Sequence, residues 1–304
     1  MSGLVLGVDG GGTCTRVLLA SVDGEELARF VGAPALVDPN RPEVSADAVE
    51  AACREAAKAA GLELPITALW AGIAGAGRTS VREMLGAELG RRGLAERVGV
   101  GTDADAAYYD AFGDAPGILL ISGTGSVALG KGEDGSSATV GGWGVLLGDE
   151  GSGYAIGMAA LRAIVRGVDG RSMSTSMKEA VLERIGLDRS EELIAWVARS
   201  KKSDVAALVP MVCRAADTGD PVAATILEGA IEDLTSHVLT LVRRLGPWSG
   251  RPTVAVSGGL LGEGGPLRDR TCVALAGLSC QPIDRLVDPS RGAARLAARL
   301  LESG

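Results

Sequence analysis

The chain has little of what marks a zinc enzyme or a serine hydrolase, since its 304 residues include one histidine. One histidine cannot supply the paired ligands of common zinc sites. No GxSxG motif accompanies it for a serine nucleophile. The histidine itself, His237, lies among apolar residues at helical spacing, which predicts a place on the surface or core edge of a helix.

The cysteines are too scattered for a metal site or a disulfide framework, because no CxxC pair occurs. They stand at positions 14, 53, 213, 272 and 280. No apolar run approaches the roughly 18 residues of a membrane helix, and the first residues lack the charged region of a signal peptide. The sequence therefore predicts a cytoplasmic protein with reduced thiols and no membrane partner.

Positive charge is also scarce, and the net charge is −8. The lysines and arginines form no stripe, which argues against nucleic acid as a partner. An acidic protein can still bind phosphates through backbone amides and Mg²⁺. Glycine is in excess, with 45 residues that lie in clusters, and this predicts several tight turns with a shared purpose.

An internal duplication organises the chain. Residues 4–9 form an apolar strand followed by Gly-Gly-Gly-Thr, and residues 117–122 form another followed by Gly-Thr-Gly-Ser. Each is followed by a second strand and an Asp-Gly turn. Two copies predict two similar α/β halves with mixed sheets. Predicted helices lie at 45–60 (capped by Ser45), 79–92, 152–167, 204–216, 221–245 and 290–301, and further strands at 66–73, 97–101 and 253–257.

Three glycine turns are candidate nucleotide-binding loops, because backbone amides there can approach phosphates without Cβ obstruction. Asp9 precedes the first loop and could hold Mg²⁺ directly or through water. The alternative for each loop is a plain tight turn. A dinucleotide fingerprint is rejected at the second loop, because a strand and not a helix follows it. The candidate residues are Gly10, Gly11, Gly12, Thr13, Gly123, Thr124, Gly125, Gly258 and Gly259.

Asp103 follows the predicted strand 97–101 and lies between the two duplicated loops in the sequence. Phosphoryl transfer to an alcohol needs a carboxylate that orients the hydroxyl and accepts its proton. Asp105 is the local competitor, and an N-cap of the next helix is the structural alternative for Asp103. The DxD motif of haloacid-dehalogenase phosphatases is a weaker match, because the expected Gly-Thr is missing.

The segment 141–153, Gly-Gly-Trp-Gly-Val-Leu-Leu-Gly-Asp-Glu-Gly-Ser-Gly, places one aromatic residue and two acids among glycines. Trp143 can pack on a sugar face, and Asp149 can accept hydrogen bonds from sugar hydroxyls. The alternative is that Trp143 anchors the core and residues 149–152 only cap a helix.

With these motifs the sequence resembles the N-acetylglucosamine kinases and the related BadF/BadG/BcrA/BcrD ATPase family over nearly its whole length. The resemblance rests on GVDGGGT at the start, TDA at 102–104, ISGTGS at 121–126, GGWGVLLGDEGSG at 141–153, TGDPVA at 218–223 and VSGG at 256–259.

The resemblance implies two ribonuclease H-like (actin-like ATPase) domains around a cleft that binds Mg·ATP, and phosphorylation of an amino sugar, typically at O6. It implies a domain at 1–115, on which a C-terminal helix at 290–304 can pack back, and a second at 116–289. A homodimer is also expected. The implied roles are catalytic base and sugar contact for Asp103, phosphate contact for Thr13 and Thr124, and sugar contact for Gly142, Trp143, Gly144 and Asp149.

One departure leaves the sugar open. The family usually has a sugar-binding Asn at the position of Leu36, and Asp38 and Asn40 are the candidates to replace it. Glucosamine, another hexose and muramic acid are therefore alternative substrates. An ATPase activator of 2-hydroxyacyl-CoA dehydratases is a further alternative, but its Cys-Ala-Ala-Gly-Thr-Gly stretch is missing. A nucleotide-binding regulator without turnover is disfavoured by the presence of Asp103 and Asp149.

Overall fold

The computed structural model describes residues 3–302, and the chain divides into two compact units. Unit 1 comprises Met1–Asp114 and Val287–Gly304, and unit 2 comprises Ala115–Leu286. Residues 1–2 and 303–304, at the outer edges of the predicted first domain, lie outside the described residues. No helix from residue 3 to residue 302 combines the length and the apolar character that crossing a bilayer requires.

Three consecutive strands open each unit, and further helices and strands follow them along the described chain. The strands are β1 (Leu4–Gly10), β2 (Thr15–Ser21), β3 (Glu26–Gly32), β4 (Ile66–Ile73), β5 (Ala95–Gly101), β6 (Gly117–Ser122), β7 (Ser126–Lys131), β8 (Ser137–Gly141), β9 (Thr253–Ser257) and β10 (Gln281–Pro282). The helices are α1 (Pro42–Ala59), α2 (Thr79–Gly90), α3 (Asp103–Phe112), α4 (Gly153–Val168), α5 (Met177–Ile185), α6 (Leu193–Arg199), α7 (Lys202–Ala206), α8 (Val209–Asp217), α9 (Pro221–Leu245), α10 (Arg268–Gly277) and α11 (Pro289–Glu302), with a 3₁₀ turn at Ser190–Glu192.

The two sheets share one plan. Unit 1 has the strand order β3-β2-β1-β4-β5, and unit 2 has β8-β7-β6-β9-β10. In each sheet the first three strands in sequence are antiparallel neighbours, and the last two run parallel to the first. This repeated mixed sheet confirms the predicted duplication and the ribonuclease H-like fold.

Each unit has its own apolar core, which fixes the strand ends that carry the glycine loops. In unit 1, buried Leu6 and Val8 of β1 pack with residues of α1 and α2 on one face of the sheet. Helix α11 covers the other face so closely that a Cβ at Gly7 would collide with the backbone of Ser290 and Ala294. In unit 2, Ile118 and Leu120 of β6 pack within a core that includes α4 and α9.

Two helix predictions were wrong, one at its first residue and one in its continuity. Helix α1 begins at Pro42, which is favourable at a first turn. Ser45 lies inside that helix, and its hydroxyl donates to the carbonyl of Ala35 at 2.7 Å. The helix predicted at 204–216 is interrupted between α7 and α8, because the ring of Pro210 is incompatible with a helical carbonyl at Ala206.

Candidate active site

The first glycine loop leaves the end of β1 with its backbone N–H groups uncovered. The N–H of Gly11 donates to the carbonyl of Cys14 at 3.0 Å, which closes the turn. Within the described residues, the N–H groups of Gly12 and Thr13 donate to no protein acceptor. A Cβ at Gly11 or Gly12 would meet no atom closer than 3.6 Å, so the space above the loop is open. This arrangement can bind an anion such as a phosphate.

Asp9 stands at the end of β1 with only 8% of its surface exposed. Burial, together with the nearby negative charge of Asp103, raises the pKa of Asp9 to about 7. Arg16 opposes this rise, since its Nη1 lies 3.6 Å from Asp9 Oδ2. The carboxylate is therefore costly to ionise in the protein alone, and a bound cation would offset that cost.

Asp103 is the first residue of α3, but it is not the cap of that helix. Thr102 is the N-cap: its hydroxyl accepts the Asp105 N–H at 3.0 Å, and its own N–H donates to Asp105 Oδ2 at 2.8 Å. The N-cap alternative for Asp103 is therefore wrong, and Asp105 is engaged in this capping box. Burial raises the pKa of Asp103, partly offset by hydrogen bonds from the Ala104 N–H and its own N–H.

The donor set of unit 1 fits Mg²⁺ held together with a nucleotide. Between residues 3 and 302, no group of three or more His, Cys, Asp or Glu side chains could hold a metal ion. Mg²⁺ needs no such cage, because it is usually bound by one or two carboxylates, water and substrate phosphates. Asp9 supplies a carboxylate next to the anion-binding loop, and a negative ion such as a phosphate fits the free N–H groups.

Leu36 lies beside the first glycine loop. Its Cδ2 would be 3.9 Å from a Cβ at Gly12, and 55% of its surface is exposed. Asp38 and Asn40 are also exposed, and Asp38 Oδ1 accepts the N–H of Asn40 at 2.9 Å in a local turn. An exposed apolar side chain, and not an amide, therefore lies beside the first glycine loop at Leu36.

In unit 2, the second glycine loop is in direct contact with Asp149. A Cβ at Gly125 would be 3.0 Å from Asp149 Oδ1, and the N–H of Ser126 donates to this oxygen at 3.4 Å. Asp149 is buried and has a φ of 61°, a left-handed conformation that is uncommon outside glycine. Such strain often marks a functional position. The loop and the carboxylate form one structural unit.

Two buried serines that flank this loop hold the backbone at Glu150 and Gly151, next to Asp149, in place. The hydroxyl of Ser126 donates to the carbonyl of Glu150 at 2.6 Å, and that of Ser122 donates to the carbonyl of Gly151 at 3.1 Å. No role was predicted for either serine from the sequence. Their position at the two ends of Gly-Thr-Gly was the available signal.

The third glycine turn packs against the second loop. The N–H of Leu260 donates to the carbonyl of Ser122 at 2.9 Å, and Gly258 has a φ of 94°. A Cβ at Gly123 would be 3.5 Å from the nitrogen of Gly259. Unit 2 therefore brings together the Gly123–Gly125 and Gly258–Gly259 turns and Asp149.

Trp143 does not anchor the core, since 74% of its surface is exposed. The flanking Gly142 and Gly144 have φ values of 72° and 79°, which shape the turn that presents it. Ser152 caps α4 by accepting the N–H of Ala155 at 3.2 Å. A helix cap was the predicted alternative role of residues 149–152, and Ser152 fills it. The carboxylate of Asp149 instead faces the loop at Ser126. Trp143 is thus available for contacts outside the core, whereas Asp149 contacts the second glycine loop.

Comparison with known proteins gives concordant matches over most of the chain. The model of the BadF/BadG/BcrA/BcrD ATPase family matches residues 6–297. An N-acetylmuramic acid/N-acetylglucosamine kinase of Clostridium acetobutylicum is 31% identical, over 84% of this chain and 85% of that protein. An N-acetyl-D-glucosamine kinase of Dictyostelium discoideum is 29% identical, over 97% of each chain.

A solved structure agrees with these matches. The "Putative N-acetylglucosamine Kinase" of Chromobacterium violaceum has a TM-score of 0.81 at 30% identity, and the match covers 97% of this chain and 99% of that one.

Proposed function

Because the chain belongs to the BadF/BadG/BcrA/BcrD ATPase family, we propose that it is an ATP-dependent kinase that phosphorylates an amino sugar. N-acetylglucosamine, phosphorylated at O6, is the first candidate substrate. The observation that carries the proposal is the environment of Asp103. Its carboxylate follows strand β5, has a raised pKa and takes no part in the cap of α3. The names of the matched relatives support the same class of substrate.

In unit 1 the proposal assigns the acceptor chemistry to Asp103. Its carboxylate accepts the proton of the attacking sugar hydroxyl, and a raised pKa makes it a better base near neutral pH. The first glycine loop, with Thr13, contacts phosphate oxygens of ATP through its free N–H groups. Asp9 holds Mg²⁺, directly or through water, and the ion supplies charge neutralisation on the phosphates.

In unit 2 the proposal assigns nucleotide contacts to the second and third glycine turns and sugar contacts to the segment that follows β8. Thr124 contacts a phosphate, and the small Gly258 and Gly259 allow close approach of the nucleoside. Trp143 packs on the sugar ring, and Asp149 accepts hydrogen bonds from its hydroxyls. Gly142 and Gly144 leave room for the ring beside the indole.

The proposal further describes the enzyme as a cytoplasmic homodimer without a nucleic-acid or membrane partner. The five cysteines are all unpaired, which suits a reducing compartment. Size-exclusion chromatography with light scattering checks the oligomer, and a monomeric mass at assay concentration would remove the dimer from the proposal.

A variant of Trp143 tests the sugar contact. We expect Trp143→Ala to raise the KM for the sugar about tenfold, in line with an aromatic contact of ~1.5 kcal/mol. The KM for ATP and the unfolding midpoint should stay near wild type, because the indole is exposed and contributes little to the core. Steady-state kinetics measure both constants.

Leu146→Ala is the matched control, since Leu146 lies in the same segment and is 92% exposed. It should leave the sugar KM unchanged. Equal effects of the two variants would mean that the segment responds to any truncation, and the specific contact of Trp143 with the sugar would be wrong.

A screen for ADP release tests the proposed function as a whole. The wild-type protein is assayed with Mg·ATP and glucosamine, N-acetylglucosamine, N-acetylmuramic acid, mannosamine or glucose. We expect rapid ADP release with at least one amino sugar and little with glucose. ADP release that is the same with and without every sugar would contradict the proposal and favour an ATPase.

A further inference from the structure

His237 lies in α9 and is buried, with 8% of its surface exposed. This places it more deeply than the helix edge predicted from the sequence. Within the described residues its Nδ1 has no hydrogen-bond partner. A buried polar atom without a partner costs about 1–3 kcal/mol. An apolar residue would avoid that cost. The presence of a histidine at this position therefore indicates a role other than packing.

The imidazole touches both ends of the segment that carries Trp143 and Asp149. A Cβ at Gly141 would be 2.8 Å from its Nε2, so the ring fills the space beside the start of the segment. At the other end, Nε2 lies 3.7 Å from Oε2 of Glu150, whose side chain is about half exposed. This separation is slightly longer than a hydrogen bond, and a small shift would close it.

The charges around the imidazole are anionic. Glu150 faces it from the segment, and Asp233 precedes it by one turn of α9, next to Glu232. Burial raises the pKa of Asp233, the charge of Glu150 raises it further, and His237 lowers it. The titratable side chains near the imidazole are therefore acidic, from both the segment and α9.

The backbone of the acidic segment is fastened independently of this histidine. Ser122 and Ser126 hold the carbonyls of Gly151 and Glu150, and a Cβ at Gly151 would lie 2.6 Å from the Ala230 carbonyl oxygen of α9. His237 instead lies near the Glu150 side chain and beside Gly141. Its loss should therefore disturb the proposed sugar side of the site more than the nucleotide side.

We propose that His237 is a positioning residue for the sugar: it orients the Glu150 carboxylate and supports Gly141, so that the segment 141–151 keeps its sugar-binding form. This inference takes the identity of the ligand from the proposed function. The proximity of His237 to Glu150 is an observation that does not depend on that function.

Kinetics test the positioning role. We expect His237→Leu to raise the sugar KM about fivefold or more, an effect of the size of one net polar contact, with kcat and the KM for ATP within about twofold of wild type. His237→Gln, which can place an amide donor near the position of Nε2, should restore most of the loss. Ser236→Ala, an exposed neighbour on α9, is the control and should behave as wild type. Unchanged sugar KM in a folded His237→Leu variant that still turns over would overturn the inference while leaving the proposed function intact.

Because the chain has one histidine, the Cε1–H group of its imidazole gives a single carbon–proton NMR signal of that type, which tests the contact without any turnover. We expect Glu150→Gln to shift this signal in the ligand-free protein, and Glu263→Gln, at an exposed glutamate in a different loop of unit 2, to leave it in place. We also expect N-acetylglucosamine to shift the signal of the wild-type protein. If neither Glu150→Gln nor the sugar shifts this signal, the inference is overturned, even if the histidine variants fail to fold.

Discussion

Asp103→Asn is expected to lower kcat for sugar phosphorylation by a factor of about 10²–10⁴, the contribution of a general base. The substitution removes the proton acceptor but keeps the size of the side chain. The KM for ATP should change little, because the proposed phosphate contacts come from the glycine loops. Steady-state assays of ADP release and a nucleotide titration measure the two effects separately.

Asp105→Asn is the matched control, because Asp105 lies two residues away and belongs to the capping box with Thr102. It should lower the free energy of unfolding by about 1 kcal/mol through the weakened cap and leave kcat within a few-fold of wild type. If Asp105→Asn abolishes turnover and Asp103→Asn does not, the assignment of the base to Asp103 is wrong.

Asp9→Asn is expected to cost about a hundredfold in kcat/KM and to raise the Mg²⁺ concentration needed for half-maximal activity, because one ligand of the ion is weakened. The same variant should be more stable than the wild-type protein at pH 8 when no ligand is present. The pKa of Asp9 in the folded protein is about 7, above the ordinary 3.8, so the folded state holds this proton more tightly than the unfolded state. The wild-type free energy of unfolding therefore falls as the pH rises from about 4 to about 7.

The size of this effect follows from the pKa change. A rise of the Asp9 pKa from 3.8 to about 7 corresponds to at most about 4 kcal/mol of unfolding free energy. Denaturant titrations of wild type and Asp9→Asn at pH 5 and pH 8 measure it, with Asp23→Asn, in an exposed turn, as the control. A stability difference between wild type and Asp9→Asn that is the same at both pH values would contradict the raised pKa.

The repeated plan of the fold could be predicted because local patterns encode it. The strands β1 and β6 are apolar runs that end in glycine turns, and each is followed by an antiparallel partner and an Asp-Gly turn. Such signals depend only on near neighbours in the sequence. The same holds for α9, whose predicted ends at Pro221 and Leu245 are those of the structure.

Choices between adjacent polar residues could not be made from the sequence. In Thr102-Asp103-Ala104-Asp105 three side chains can cap a helix, and only the backbone geometry assigns the cap to Thr102 and leaves Asp103 for other use. Likewise both Pro42 and Ser45 can begin α1, and the contact of Ser45 with Ala35 decides between them. These outcomes depend on the position and direction in which the preceding strand or loop ends.

Long-range contacts also could not be predicted from the sequence. Helical periodicity placed His237 on α9 but could not show that its ring lies against Gly141 and near Glu150, because those residues come from another part of unit 2. The exposure of Trp143 is a similar case. An aromatic residue among glycines suits both a core anchor and a ligand contact, and only its packing distinguishes the two.

The most direct test follows the phosphoryl group itself. The protein is incubated with N-acetylglucosamine and ATP labelled with ¹⁸O in the γ-phosphate, and the products are resolved by ³¹P NMR and mass spectrometry. The account predicts that the labelled phosphoryl group appears on the sugar, at O6, in equal amount to ADP, and that Asp103→Asn forms both products about 10²–10⁴-fold more slowly. Label found only in inorganic phosphate, with this and every other amino sugar tried, would contradict it.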